Sequence, residues 1–158
     1  MLSLDTIKLL VSADIDRYNK DFKFLHIGLT QVAVKPLFRK GLNIPICLIL
    51  RDVRLLNFDD SLLDILENNL ANGPVYFNCY PNFLVDIDDA NLIDTLTLNV
   101  KTKNMNSKID TREIVVIYRL MKTTIAPKAI NSSAKRSPML MEADQERYYL
   151  CSSFAKMV

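Results

Sequence analysis

Glycine is scarce in this sequence, and the few glycines present do not form a phosphate-binding motif. The 158 residues contain three glycines, at positions 28, 41 and 73. Neither GxxxxGK(S/T) nor GxGxxG occurs, so no glycine-rich loop brings backbone amides close to a phosphate. This absence excludes a kinase, a P-loop ATPase and a Rossmann enzyme.

Cysteine and histidine are also rare, which leaves little from which to build a metal site or a catalytic pair. The three cysteines, Cys47, Cys79 and Cys151, form no CxxC pair, so we expect buried, reduced thiols rather than a zinc site or a disulfide framework. The only histidine, His26, lies in an apolar run, where a structural role is more common than catalysis. No GxSxG elbow occurs either. We therefore predict a protein that is not an enzyme and uses no metal, cofactor or small-molecule substrate.

Long apolar runs are missing as well. None approaches the ~20 residues that a helix needs to cross a bilayer, and the N-terminus has no basic-then-apolar signal with a small-residue cleavage site. The composition, with 49% hydrophobic and 24% charged residues, is that of a globular chain with room for one core. We expect an intracellular protein without a transmembrane segment.

Charge is distributed unevenly along the chain, although the formal net charge is only +2. Residues 1–50 carry +3, residues 51–100 carry −7 and residues 101–158 carry +6. A basic C-terminal third can offer a local surface to polyanions. On charge alone, however, a solvated face is the more ordinary interpretation.

Two β segments are predicted in the first third of the chain. Residues 24–37 are rich in β-branched and aromatic side chains and alternate in polarity, which predicts a long strand with a bulge near Gly28 or Thr30. Pro36 ends central pairing there, since proline cannot donate to a ladder. Residues 45–54 begin with a nearly continuous apolar run, which is typical of a strand buried on both faces.

Helical periodicity occurs in two places. Residues 59–71 have one apolar stripe, can be capped by Asn57 or Asp59, and are stopped by Gly73. The stripe consists of Leu62, Leu63, Ile65, Leu66 and Leu70. Residues 4–20 also space apolar side chains like a helical face, so we expect a short N-terminal helix or an irregular segment there.

The remaining runs are strand-like and decide the fold class. They cover residues 75–80, 83–87, 92–102 and 113–121. Runs of strands with one inserted helix indicate a mainly β fold, which we predict to be an antiparallel, jelly-roll-like sandwich or barrel. We divide the chain into a lead-in over residues 1–23, a β core over 24–122 and a loose tail over 123–158, where no sustained period remains.

Acidic residues give no convincing site. An EF-hand loop starting at Asp86 would lack the glycine at its sixth position and the glutamate at its twelfth, so turn and cap roles are expected for this acidic group. Asp52 ends a buried strand between Arg51 and Arg54. Because a buried acid is costly unless paired, we expect an ion pair with one of these arginines or a loop cap. A hydrolase would instead need a deep pocket at which Asp52 and His26 converge.

Basic residues concentrate near a predicted loop between two strands. The loop is flanked by Lys101, Lys103, Lys108 and Arg112, and two further basic residues, Arg119 and Lys122, follow along the chain. Contacts from such residues to phosphates give binding that depends on salt and not on base sequence, so this set is our candidate for nucleic-acid contacts. Aromatic residues that can stack on bases are also present, although most are expected to fill the core. These are Tyr76, Phe77, Tyr80, Phe83 and Tyr118.

Long blocks of the sequence resemble the movement-protein region of plant pararetrovirus polyproteins, which belong to the thirty-kilodalton movement-protein superfamily. The blocks are LHIGLTQVAVKPLFRKGLNIPICLILRDVR, NFDDSLLDILENNLANGPVYFNCYPNF, DTLTLNVKT and IVVIYRL. The hallmark of the superfamily, Leu-x-Asp at the end of an apolar strand, is matched by Leu50 and Asp52. The glycine that follows it in the family has no counterpart, since no glycine follows Gly73.

The resemblance implies both a fold and a function. Such proteins have a core similar to the jelly roll of small viral capsid proteins, bind single-stranded nucleic acid with little sequence preference, self-associate and accumulate at plasmodesmata. It implies a viral cell-to-cell movement protein core in the cytoplasm or plasmodesmata of a host plant cell, with host plasmodesmal proteins as further partners. Leu50 and Asp52 would serve folding, assembly and transport rather than chemistry. The alternative is a capsid-like assembly module that binds no nucleic acid.

Overall fold

A computed structural model describes residues 2–37, 41–103, 112–127, 140–143 and 147–152, which are mainly β. The strands of these residues are β1 Leu2–Lys8, β2 Phe22–Pro36, β3 Pro45–Asp52, β4 Leu62–Asn69, β5 Val75–Cys79, β6 Phe83–Asp86, β7 Leu96–Lys103, β8 Arg112–Pro127, β9 Leu140–Ala143 and β10 Arg147–Ser152. The helices are α1 Ser12–Asn19 and α2 Phe58–Ser61, with 3-10 turns at Leu70–Asn72 and Leu92–Asp94.

The strands form two antiparallel sheets, which confirms the prediction of a mainly β, antiparallel fold. The first has four strands in the order β1-β7-β3-β4, and the second has six, in which β10-β8-β2-β5 form a path while β6 pairs with β2 and β9 with β8. Most neighbours in the sheets are distant in sequence; β1 pairs with β7 and β2 with β8. Such non-local pairing means that both sheets depend on contacts across the whole chain.

One hydrophobic core joins the two sheets. Buried side chains alternate with outward-facing ones along the strands, as the two-residue period of a strand requires, and the buried sets of both sheets belong to a single cluster. Fully buried members from the four-stranded sheet include Leu48, Leu50 and Leu98, and those from the six-stranded sheet include Ile27, Val34 and Leu120. The two sheets therefore pack on each other through this cluster.

The predicted bulge in the long second strand is present. The register between β2 and β8 shifts between Ile27 and Leu29, with Gly28 as the extra residue. Buried side chains on β2 are odd-numbered before Gly28 and even-numbered after it, because an inserted residue reverses which parity faces the core. The strand ends at Pro36 as expected. The adjacent prediction for β3 is confirmed too, since most of its residues are buried.

The prediction of one helix over residues 59–71 is wrong. Only Phe58–Ser61 is α-helical, with Asn57 as its cap, and the chain then continues as β4 beside β3 before a 3-10 turn at Leu70–Asn72. The pairing has a register shift between Leu50 and Arg51, and this bulge lets Leu63 and Leu66 both pack against the core. A bulged strand can therefore place on the core the same apolar residues whose spacing resembled a helical stripe. The hydrogen bonds between β4 and β3 outweigh the local helix propensity of this segment.

The chain ends also contain more strand than expected. The predicted helix near the N-terminus exists as α1, but Leu2–Lys8 is a strand that pairs with β7. In the predicted loose tail, β8 continues to Pro127, and β9 and β10 both pair with it. The described parts of the tail are therefore strands. The division of the chain after residues 23 and 122 stays a prediction.

The strand assignment of β4 predicts different costs for two apolar truncations. Leu48 is fully buried and Ile65 is 46% exposed on the neighbouring edge strand. Leu48→Ala should lower the free energy of unfolding by about 3 kcal/mol through lost burial and the cavity, whereas Ile65→Ala should cost about 1 kcal/mol or less. Urea denaturation monitored by far-UV circular dichroism measures both. Equal losses would instead favour a helix that buries Ile65.

Candidate functional site

The carboxylate of Asp52 is engaged by a single arginine at the end of β3. Asp52 is only 6% exposed. Its Oδ1 accepts hydrogen bonds from the backbone N–H of Arg54 at 3.1 Å and from Arg54 Nε at 2.9 Å, and its Oδ2 accepts from Arg54 Nη2 at 2.6 Å. This planar, bidentate pairing is among the stronger protein ion pairs. It confirms the expected ion pair and selects Arg54 over Arg51.

Arg54 also links the two sheets. Its Nη1 donates to the backbone carbonyl of Leu84 at 3.2 Å, and Leu84 belongs to β6 of the six-stranded sheet. The hydrogen bond to Asp52 raises the pKa of Arg54 above its usual value. Asp52 therefore holds in place a cation that ties the end of β3 to the facing sheet.

The Leu-x-Asp spacing has a structural reason. Residues two apart on a strand face the same side, so Leu50 and Asp52 both lie on the inner face of the four-stranded sheet. Leu50 is fully buried in the core, and Asp52 occupies the next inward position at the strand end. His26, which a hydrolase would need nearby, lies on β2 with its Nε2 2.7 Å from Oδ1 of Asn82.

The predicted basic residues are not gathered on one face. Lys101 lies half-buried on the outer face of the four-stranded sheet, next to Cys47 of β3, and Lys103 is exposed at the end of the same strand. Arg119 is on the outer face of the six-stranded sheet. The sheets, packed on a common core, separate these cations into two locations.

Two of the predicted cations cannot be placed by their side chains. Lys108 lies outside the described residues, and Arg112 begins β8 without a described side-chain position. Both flank or belong to the segment of residues 104–111 that connects β7 of one sheet to β8 of the other.

Among the predicted basic residues whose side chains are described, Lys122 differs from the others because it is buried. Only 2% of it is exposed, and its ammonium lies 5.9 Å from the ring centroid of Tyr18 on α1. An ammonium over a tyrosine face is a favourable cation–π contact. This position gives Lys122 a part in packing α1 against β8.

Some of the candidate aromatic residues are exposed. Tyr76 and Tyr80 are 71% and 72% exposed, whereas Tyr118 is buried and Phe77 packs against the core. The side chain of Phe83 is outside the description. Alternation along β5 explains the difference, since Tyr76 and Phe77 are neighbours that must face opposite sides.

A polar network that the sequence did not reveal crosses the outer face of the six-stranded sheet. Arg119 Nε donates to Gln31 Oε1 at 2.8 Å, and Gln31 Nε2 donates to Asn78 Oδ1 at 3.1 Å. These residues line a shallow groove of about 170 Å³ together with Tyr76. No sequence signal pointed to Gln31 or Asn78, because strand pairing alone brings them together.

The described thiols are free and weakly acidic. Cys79 is buried, and burial, reinforced by Asp64, raises its pKa to about 11. Cys47 is half-buried, and its pKa is raised chiefly by burial and then by Glu67, while Lys101 lowers it. Both are expected to be poor nucleophiles, because the thiolate is the reactive form.

The acidic group after β6 has turn roles. Asp86 Oδ1 accepts from the backbone N–H of Asp88, and Asp89 Oδ1 from that of Asn91, each at 2.9 Å. Within the described ranges, no group of three or more histidine, cysteine or acidic residues is arranged to hold a metal ion. None of the helices in that part of the chain is long and apolar enough to cross a membrane.

Comparison with known proteins gives consistent matches. The chain matches the family described as Viral movement protein (MP) over residues 2–132. The movement protein of Cauliflower mosaic virus (strain Strasbourg) is 33% identical over 106 residues, which cover 64% of this chain and 32% of that protein. That of Soybean chlorotic mottle virus is 32% identical over 91 residues, covering 58% and 30%. That of Figwort mosaic virus (strain DxS) is 34% identical over 73 residues, covering 46% and 23%.

These matches cover only part of each relative. The chain spans about a third of the length of the curated relatives that it matches first. No solved structure matches the chain.

Removing the charge of Asp52 should destabilise the fold. Asp52→Asn keeps the side-chain shape but loses the charge-assisted bonds to Arg54, so we expect the free energy of unfolding to fall by about 2 kcal/mol. Asp60→Asn, at an exposed position on α2, is the matched control and should change it by less than about 0.5 kcal/mol. Urea denaturation of Asp52→Asn, Arg54→Ala and the double variant tests the coupling. If the stability losses of the two single variants sum to the loss of the double variant, the ion pair does not contribute to stability.

Cys79 should be unreactive until the protein unfolds. In a Cys47→Ser/Cys151→Ser variant, we expect a thiol-specific reagent at pH 8 to label Cys79 only after denaturation, because burial raises its pKa to about 11. Since the folded pKa exceeds the unfolded one, the neutral thiol stabilises the fold at lower pH. That contribution should be lost as the pH rises from about 9 to about 11. Rapid labelling of the folded variant would contradict the buried position.

Proposed function

The chain belongs to the viral movement protein family, and from this membership we propose that it is the core of a protein that carries viral nucleic acid between cells of a host plant. The family implies viral movement from cell to cell, and its plant-virus members imply a host plant cell. Both agree with the resemblance to pararetrovirus movement proteins. Binding of single strands, self-association and action at plasmodesmata together with host plasmodesmal proteins are the further parts of the proposal.

The observation that carries the proposal is the extent of the family match. It runs from residue 2 to residue 132 and so includes β1 to β8, which build most of both sheets. This extent supports a movement role for the two-sheet unit as a whole. The family is not an enzyme family, which favours a role based on surfaces rather than on a reaction centre. A jelly-roll arrangement of the two sheets is part of the proposal.

Cations on the outer faces of the two sheets support binding of single-stranded nucleic acid. Lys101 and Lys103 lie along the outer face and end of β7, and Arg119 lies on the other sheet. Such side chains can contact phosphates without reading sequence. We include Lys108, which belongs to the connection that follows Lys103, and Arg112, which begins β8 after it. Lys122 is left out, since its ammonium is buried against α1.

Edge strands support self-association. The four-stranded sheet ends in β1 on one side and β4 on the other, and an edge strand offers unpaired backbone groups to another chain. Ile65 on β4 is 46% exposed and adds apolar surface at that edge. Pairing of edges is a natural route to the assemblies that transport requires.

A capsid-like assembly module is the second candidate. It shares the two-sheet fold and the edges but requires no contact with nucleic acid. The observation that favours it is that Lys101 and Lys103 lie on one sheet and Arg119 on the other. Nucleic-acid binding and assembly must therefore be measured separately.

The proposal predicts salt-dependent binding that depends on the β7–β8 cations. A variant with Lys101, Lys103, Lys108 and Arg112 changed to Gln should bind a labelled single-stranded oligonucleotide more weakly. Its slope of log affinity against log salt should be smaller by about 3, since each lost phosphate contact removes about 0.7. Fluorescence anisotropy between about 20 and 300 mM salt, across the range in which counterion release changes affinity strongly, measures this.

A charge-matched variant separates specific contacts from general attraction. Changing Lys8, Arg17, Lys20 and Lys23 to Gln removes the same charge from exposed positions elsewhere and should change the slope less. Absence of binding by the unmodified protein at low salt would end the nucleic-acid part of the proposal. Assembly that persists in light scattering without any binding would favour the capsid-like module.

A further inference from the structure

The groove on the outer face of the six-stranded sheet is not accounted for by phosphate contacts alone. Its walls come from β2, β5 and β8, which lie side by side. Lys101 and Lys103 of the basic set lie on β7, in the other sheet. The groove therefore needs its own explanation.

Two adjacent rows of side chains cross these three strands. In the polar row, Gln31 is directly opposite Asn78 on one side and Arg119 on the other. In the next row, Ala33 is opposite Tyr76 and Ile117. The rows are two residues apart along β2, which corresponds to about 7 Å. The small Ala33 between two larger side chains leaves the depression that forms the groove.

The polar row is held in a fixed arrangement. Gln31 accepts from Arg119 through Nε and Nη2 and donates to Asn78, so each side chain orients the next. All three are on paired strands rather than loops. Side chains fixed in this way lose little conformational freedom when a ligand binds, which favours binding.

The second row offers a surface for a flat, apolar ring. Tyr76 lies on β5, the last strand of the path β10-β8-β2-β5, and is 71% exposed. An exposed aromatic residue on a sheet face, next to amide groups and an arginine, is the combination that stacks and orients bases of single strands. Amide groups supply both donors and acceptors for a base edge.

Charge also favours a polyanion over a basic or neutral ligand. Among the described residues that line the groove, there is one cation, Arg119, and no acid. Lys35, two residues beyond Ala33 on the same face of β2, is exposed. A phosphate next to the bound base would thus meet positive charge.

We infer that this groove binds a base of single-stranded nucleic acid, with the ring stacked on Tyr76 and its polar edge facing the Gln31–Asn78–Arg119 row. The inference builds on the proposed function and goes beyond it. It places a base contact on the six-stranded sheet, separate from the phosphate contacts near β7. Tyr76 is then a binding residue, and Gln31 positions Arg119.

The test compares a normal oligonucleotide with an abasic one of equal length and charge. The full chain should prefer the normal strand by about tenfold, as expected for one stacked base. Tyr76→Ala should remove most of that preference while leaving the salt slope unchanged, and Tyr76→Phe should retain it. Tyr80→Ala is the matched control, because Tyr80 is 72% exposed and lies just beyond β5, outside the groove. Anisotropy titrations measure the affinity of each of the four proteins for both strands, and circular dichroism confirms folding.

The outcomes separate this inference from the proposed function. If the unmodified protein binds neither strand at low salt, both fail. If it binds and Tyr76→Ala keeps its preference for the normal strand, or Tyr80→Ala loses it equally, the groove assignment fails while nucleic-acid binding stands. If Tyr76→Ala instead changes the sedimentation coefficient without affecting base preference, the face is a contact between copies and the inference is overturned.

Discussion

The pairing of β2 with β8 is the interaction on which the rest of the structure depends. It runs from Phe22 opposite Pro127 to Pro36 opposite Ile114 and forms the centre of the six-stranded sheet. Strands β5 and β6 attach to one side of this pair, and β9 and β10 to the other. The same pairing fixes which side chains point inward, so it determines the core and the outer face together. Arg119 and Lys122, three residues apart on β8, must therefore face opposite sides.

Local features of the fold were predictable, because a few neighbouring residues determine the periodicity of a strand and the position where it ends. The bulge at Gly28 and the end at Pro36 followed from β-branched content and proline chemistry. The strand at Leu62–Asn69 was missed because a bulge opposite Leu50 and Arg51 places apolar residues at spacings that also suit a helix. The ladder on β3 decides between the two, and a ladder is not visible in local sequence.

The candidate sites show the same difference between features set by neighbouring residues and features set by strand pairing. The ion pair of Asp52 could be anticipated, since burial of an acid demands a partner and Arg54 is two residues away. The row of Gln31, Asn78 and Arg119 could not, because its members are 47 and 88 residues apart. Conversely, the basic set looked like one surface because it is compact in sequence. The chain between β7 and β8 passes from one sheet to the other, so proximity in sequence does not give proximity on a face.

The two outer faces differ in what they can recognise. Lysine side chains such as Lys101 and Lys103 act as flexible point charges, which attract phosphates but do not orient a base. The groove beside Tyr76 has fixed amides and a planar guanidinium, which orient a ring but contribute a single charge. In the proposed function, affinity thus comes chiefly from one sheet and base contact from the other. Because one core holds both sheets together, a strand that used both surfaces would have to pass around an edge of the domain. Edge strands that pair with further copies would lie along that path, so assembly and nucleic-acid binding would be physically coupled.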